Sequence, residues 1–335
     1  MNKKPAFARW MTGAALLLAM VPAWAAPDSL LNVSYDVSRE LYKDINPLFA
    51  QEWKAKGNGD LQIKQSHGGS SKQALSVAAG LEADVVTMNQ PTDIQLLVDK
   101  GLVGADWRKQ FPHQATPYST VTVFLVRKGN PKNIKDWSDL TRNGLSVIVP
   151  NPKTSGNGRY TYLAAWGYAL DKTKSESKTL EFVKDIFENV PVLDGGGRGA
   201  TTTFTQRGVG DVLVTFENEA VLIGQEVGAD KFDVVYPSLS VEAAPPVAVV
   251  TGVTQKRGSD AAARAYLNFL FTPQAQEVIA QNHFRPRDSA VYSKYAKSFP
   301  KIKTFSVEER LGSWEAVNKT HFADGGLFDQ IYTKK

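Results

Sequence analysis

The sequence predicts an α/β protein of two domains, with mainly parallel sheets covered by helices on both faces. Short apolar, β-branched runs alternate with helical patterns along the whole chain. The 335 residues suit two cores better than one. There is no cysteine, so each core must stand without disulfides.

The elements follow in order. Lys3, Lys4 and Arg9 precede an apolar run from Met11 to Val21, and Ala23-Trp24-Ala25 fits a small-x-small cleavage site. Residues 1–25 therefore read as a signal peptide, and the protein as one exported to the bacterial periplasm; the run is too short to favour a membrane span. Taking those three cations from the 39 Lys and Arg leaves 36 against 34 acids. A charge so close to balance, with no concentrated basic face, argues against a nucleic-acid partner.

"LLNVSY" (30–35) is a strand, and "SRELYKDINPLFAQEW" spaces Leu41, Ile45, Leu48, Phe49 and Trp53 along one helix face. "ADVVTMN", "STVTVFLVRKG" (119–129), "LSVIVP", "VPVLD", "DVLVTF", "FDVVYP" and "PPVAVVTGV" (245–253) are further strands. "DIQLLVDKG" is a short helix, and "DAAARAYLNFLF" a longer one. The two long strands, 119–129 and 245–253, are the candidate crossings between domains. They divide the chain into lobe I (26–118 with 248–335) and lobe II (119–247).

Four small-residue turns each follow a strand and open a helix: "SYDVSRELY" (34–42), "SHGGSSKQAL" (66–75), "NPKTSGNGRYTY" (151–162) and "DGGGRGATTTF" (194–204). Such a helix start has free N–H groups at the positive end of its dipole, which suits an anion. In parallel α/β sheets these turns lie at the strands' carboxyl ends and can converge in one cleft. The hydroxyls of Ser70 and Ser155 add donors. Other chemistry finds little support. His67, His113, His283 and His321 form no i,i+4 pair, so a metal site is not expected. "GGSSKQ" has the wrong spacing for a phosphate loop. "GGGRGA" (195–200), with Glu217 further on, matches a dinucleotide fingerprint and is the enzyme alternative.

These stretches, with "LEADVVT", "VFLVRKGNPKNIKDW", "YLAAWGYAL", "GDVL" and "HFADGG", resemble the periplasmic sulfate- and thiosulfate-binding proteins, solute receptors of bacterial ABC importers. The resemblance covers nearly all of the chain after the leader. It implies a non-enzymatic, type II-like two-lobed receptor, monomeric and without cofactor, that closes over one tetrahedral oxyanion and docks on a membrane permease. Carried over by motif, the backbone of Asp36 and Ser70 would serve from the first lobe. Ser155, Gly156, Asn157 and the N–H of Gly197 would serve from the second. Arg39, Arg159 and Arg198, just inside these helices, would be charges behind the ligand or structural ion pairs.

One position departs from the sulfate type, which has Trp where "DVLVTFENEA" has Phe216. Phe offers no N–H, so a sulfate oxygen there loses a donor, whereas the softer sulfur of thiosulfate needs one less. The pieces "YDVSRELY", "SSKQAL", "MNQ" and "TSGNGRYTYLAAW" also look more like the thiosulfate type. "SHGGS", "FRPRD" and "FADGG" look like the sulfate type. The expectation is thiosulfate ahead of sulfate, with sulfate also bound; a sulfate-preferring receptor and receptors for molybdate or phosphate are the alternatives, phosphate being favoured if Asp36 or Glu217 supplied an accepting carboxylate.

Overall fold

The strands form where the apolar, β-branched runs lie: β1 (Ser29–Tyr35), β2 (Gln62–Gly68), β3 (Val85–Thr87), β4 (Tyr118–Arg127), β5 (Val147–Pro150), β6 (Leu193–Asp194), β7 (Val212–Phe216), β8 (Phe232–Val235), β9 (Ser240–Ala243), β10 (Val247–Val249), β11 (Arg285–Pro286) and β12 (Thr304–Phe305). This computed structural model describes Met1, residues 27–228 and residues 230–332, so the signal peptide expected over 1–25 falls almost wholly outside the described residues.

The first sheet has the order β10-β3-β1-β2. Here β1 runs parallel to β2 and β3, and β10 antiparallel to β3. The second has the order β12-β9-β4-β7-β5-β6, with β8 and β11 also paired to β4. The expectation of mainly parallel sheets describes the first. The second is mixed, because its long strand β4 runs against β7, β8, β9 and β11 while β5 stays parallel to β6 and β7.

Helices follow most strands: α1 (Arg39–Ala55), α2 (Ser70–Ala78), α3 (Pro91–Asp99), the single turn α4 (Pro112–Ala115), α5 (Gly156–Thr173), α6 (Glu176–Glu188), α7 (Gly197–Thr205), α8 (Glu217–Val227), α9 (Thr251–Arg257) and α10 (Asp260–Phe269). On α1 the buried residues are Leu41, Tyr42, Ile45, Phe49 and Trp53, one stripe at helical spacing, each contributing roughly 1.5–3 kcal/mol on leaving water. In α5 every residue from Gly156 to Ala169 is buried, so this helix is enclosed on all sides.

Two stretches differ from the sequence reading. The strand expected over 245–253 stops at Val249, and Thr251 opens α9. Gly252 packs against Leu102 and donates its N–H to the Leu102 carbonyl at 3.0 Å, a tertiary contact that overrides the strand preference of the β-branched residues around it. The C-terminal stretch, grouped above with the first lobe, returns to the second sheet. Its β12 pairs with β9, and His321 bonds the Tyr162 hydroxyl at 2.9 Å. Lys153 binds the carbonyls of Phe322 and Ala323 and the carboxylate of Asp329.

Candidate functional site

Each parallel strand ends in a turn that opens a helix, and these turns meet. A Cβ placed on Gly69, before α2, would lie 2.6 Å from the Thr154 carbonyl oxygen and 2.7 Å from that of Gly195. One on Gly156 would lie 2.2 Å from Asn89 Cβ, and one on Gly197 2.7 Å from Val37. These glycines are therefore where backbone from the two sheets approaches too closely for any side chain. The starts of α1, α2, α5 and α7, read separately in the sequence, occupy one place.

At α5, Ser155 is the N-cap in an extended conformation. Its Oγ accepts the Gly158 N–H at 3.3 Å and keeps its own proton to donate. Gly158 is required because a Cβ there would sit 2.4 Å from the Pro150 carbonyl oxygen, against the end of β5. The N–H groups of Gly156 and Asn157, in the first turn, have no carbonyl one turn back within the helix to bond.

At α2 the Ser70 hydroxyl is used internally. It donates to Asp93 at 2.5 Å and accepts the Asn89 N–H at 2.8 Å, while Ser71 donates to the other Asp93 oxygen at 2.9 Å. The hydroxyl expected as a ligand donor is thus engaged, leaving the N–H groups of α2's first turn. Burial raises the Asp93 carboxyl above the usual range, against the pull of Arg159 and the two serines. Across at α7, the Asp36 carboxylate accepts the N–H of Arg198 at 3.0 Å and of Val37 at 3.1 Å. It too is raised by burial despite those bonds.

The three arginines separate. Arg39 is exposed. Arg159 is buried, donates through Nε to the Pro152 carbonyl at 2.9 Å and lies over the Phe322 ring. Arg198 lies 3.4 Å from Glu219, 3.7 Å from Glu226 and 3.9 Å from Glu40. Glu219, fully buried, is pushed up to about 7 by desolvation. Phe216 closes β7, is fully buried, and meets Tyr160 edge-on at 5.9 Å.

Glu217 is bound by Arg285 at 2.7 and 2.9 Å and by the Tyr236 hydroxyl. It is spoken for, both as the ribose acid of the dinucleotide alternative and as an acceptor for a protonated ligand. The residues that small-residue turns did not reveal are Asn89 and Gln90, between β3 and α3. They pack directly on Gly156, and Asn157 bonds Thr215 beside Phe216 at 3.0 Å. Their turn, "MNQP", contains neither Gly nor Ser; its cues were Pro91 at a helix start and the resemblance of "MNQ" to the thiosulfate type, neither of which marks a ligand donor.

The family model for bacterial extracellular solute-binding proteins matches residues 31–285. The chain belongs to that family. A thiosulfate-binding protein of Pseudomonas aeruginosa is 57% identical over 317 residues, covering 94% of this chain and 96% of the relative. A sulfate-binding protein of Escherichia coli is 49% identical over 324 residues, covering 96% and 98%. Among solved structures, the sulfate-binding protein SubI of Mycobacterium tuberculosis matches this family member with a TM-score of 0.80 at 35% identity, over 88% of this chain and 99% of that one.

Proposed function

We propose that this protein is a periplasmic receptor that captures thiosulfate, and sulfate less tightly, and hands it to the membrane permease of an ABC importer. The observation that carries the reading is the meeting of the α2, α5 and α7 N-termini in one buried place, where glycines let the two halves of the molecule approach without side chains between them. A dianion stripped of water needs donors on each oxygen. N–H groups fixed at helix ends supply charge-assisted bonds without ordering long side chains.

The proposed ligand set is the backbone of Asp36 and Ser70, the hydroxyl of Ser155, the N–H groups of Gly156, Asn157 and Gly197, and the ring of Phe216. One lobe is built on the first sheet, the other on β4 to β9 with the C-terminal stretch from Thr304 docked on it, and the chain works as a monomer after removal of residues 1–25. The higher identity to a thiosulfate-binding relative supports the order of preference, as does Phe216, whose buried ring offers no N–H.

Calorimetric titration of the ligand-stripped mature chain tests this. Thiosulfate should bind more tightly than sulfate and phosphate least, since the Asp36 and Asp93 carboxylates already accept from protein donors. Phe216→Trp should raise sulfate affinity relative to thiosulfate; an unchanged ratio removes Phe216 from the selectivity. Binding of neither sulfur anion would overturn the function.

A further inference from the structure

Asn89 is one of three buried carboxamides at the start of α5, with Gln90 and Asn157, whose side-chain oxygens have no hydrogen-bond partner among the described residues. It is 1% exposed, its Oδ1 has no hydrogen-bond partner among the described residues, and its Nδ2 would lie 2.5 Å from a Cβ on Gly156. The unbonded Oδ1 is an acceptor that a fully deprotonated dianion does not satisfy; what the residue offers such an anion is its Nδ2 group beside Gly156. The backbone on either side is fixed. Its N–H donates to Ser70 Oγ, and its carbonyl accepts the Tyr160 hydroxyl at 3.1 Å, so both sheets hold the residue.

Gln90 is held differently. Its Nε2 donates to Ser71 Oγ at 3.1 Å, which leaves its Oε1 against Gly156. Asn157 is likewise tied through Nδ2 to Thr215. Of these three amides, Asn89 is therefore the one whose NH2 group is not given to a protein oxygen among the described residues.

We infer that the Asn89 side chain binds the anion directly, its NH2 donating to an oxygen held at the first turn of α5. The inference rests on the function proposed above and adds to it a side-chain donor from the first sheet's third βα turn. Asn89 faces the helix start that Phe216 borders through Tyr160, so it supplies a donor in the region where Phe216 has none. Because the bond goes to an oxygen, which thiosulfate and sulfate share, Asn89 raises affinity for both.

Titration of Asn89→Ala and Asn89→Asp with thiosulfate and with sulfate, alongside the unaltered chain, tests this. Asn89→Ala should weaken both anions ~10-fold or more, with the ligand-free melting midpoint held because both backbone anchors remain. Asn89→Asp keeps the shape but turns a carboxylate toward the dianion, and should lose more than Asn89→Ala. Should the alanine variant fail to fold, the aspartate variant decides alone. Wild-type affinity in either folded variant overturns the inference while leaving the proposed function standing. Failure of the unaltered chain to bind either anion overturns both.

Discussion

The starts of α2 and α5 look alike in sequence, Ser and Gly after a parallel strand, and they do different work. At α5 the serine caps its own helix and retains a proton to give. At α2 glycine holds the cap position, and both serines spend their hydroxyl protons on one buried carboxylate, Asp93. A hydroxyl at a helix start is a ligand donor only where no buried carboxylate has taken it. The start of α7 sides with α2, since Asp36 reaches across to accept the Arg198 N–H and Glu219 stands behind it.

The sharpest way to break this contrast is at Gly156. Gly156→Ala should nearly abolish anion binding, by about 3 kcal/mol, because the new methyl meets Asn89 and the two sheets cannot close; binding close to wild type would show that the approach is looser than described. Glu219→Gln bears on the carboxylate side. A group ionising at about 7 when folded, against an ordinary value near 4.5, binds a proton in the folded state that the unfolded chain releases. Stability of the native protein should therefore fall as pH rises from about 4.5 to 7 and level off above it. The glutamine variant should lose that slope and melt higher at pH 8, by roughly 2 kcal/mol; parallel melting curves across pH would remove Glu219 from the linkage.

Smaller still is the effect that separates the two serines. Ser155→Ala should weaken thiosulfate by about 1–2 kcal/mol with the melting midpoint preserved. Ser70→Ala should weaken affinity less than Ser155→Ala does but lower the melting midpoint, since the Asn89 N–H loses its acceptor and Asp93 a donor. Equal effects on affinity would make the two helix starts equivalent.

The contrast also marks what could be read from sequence. Strands β1, β4 and β7 were legible because apolar, β-branched runs have few other fates, and α5 because its entry is so poor in bulk. The α9 turn was not, since Thr251 to Val253 reads as the end of a strand until Gly252 is seen against Leu102. Asn89 escaped because its carboxamide gains meaning only from Gly156, a residue far along the chain. Asp93 escaped as an ordinary acid in the first turn of a short helix, where nothing local reveals Ser70 and Ser71 above it. The C-terminal stretch is built of helical turns too short to carry a period, so its docking on α5 could not be foreseen.

That docking bears on how the protein matures. α5 is enclosed partly by residues far along the chain: Phe305 lies against Gly167, Arg310 pairs with Asp171, His321 bonds Tyr162, and Phe322 underlies Arg159. A chain emerging N-terminus first has all four helix starts of the cleft before it has the cover for the longest of them. A chain that has emerged only as far as α5 therefore leaves that helix uncovered, and the proposed site is fully enclosed only when the stretch from Phe305 onward has docked.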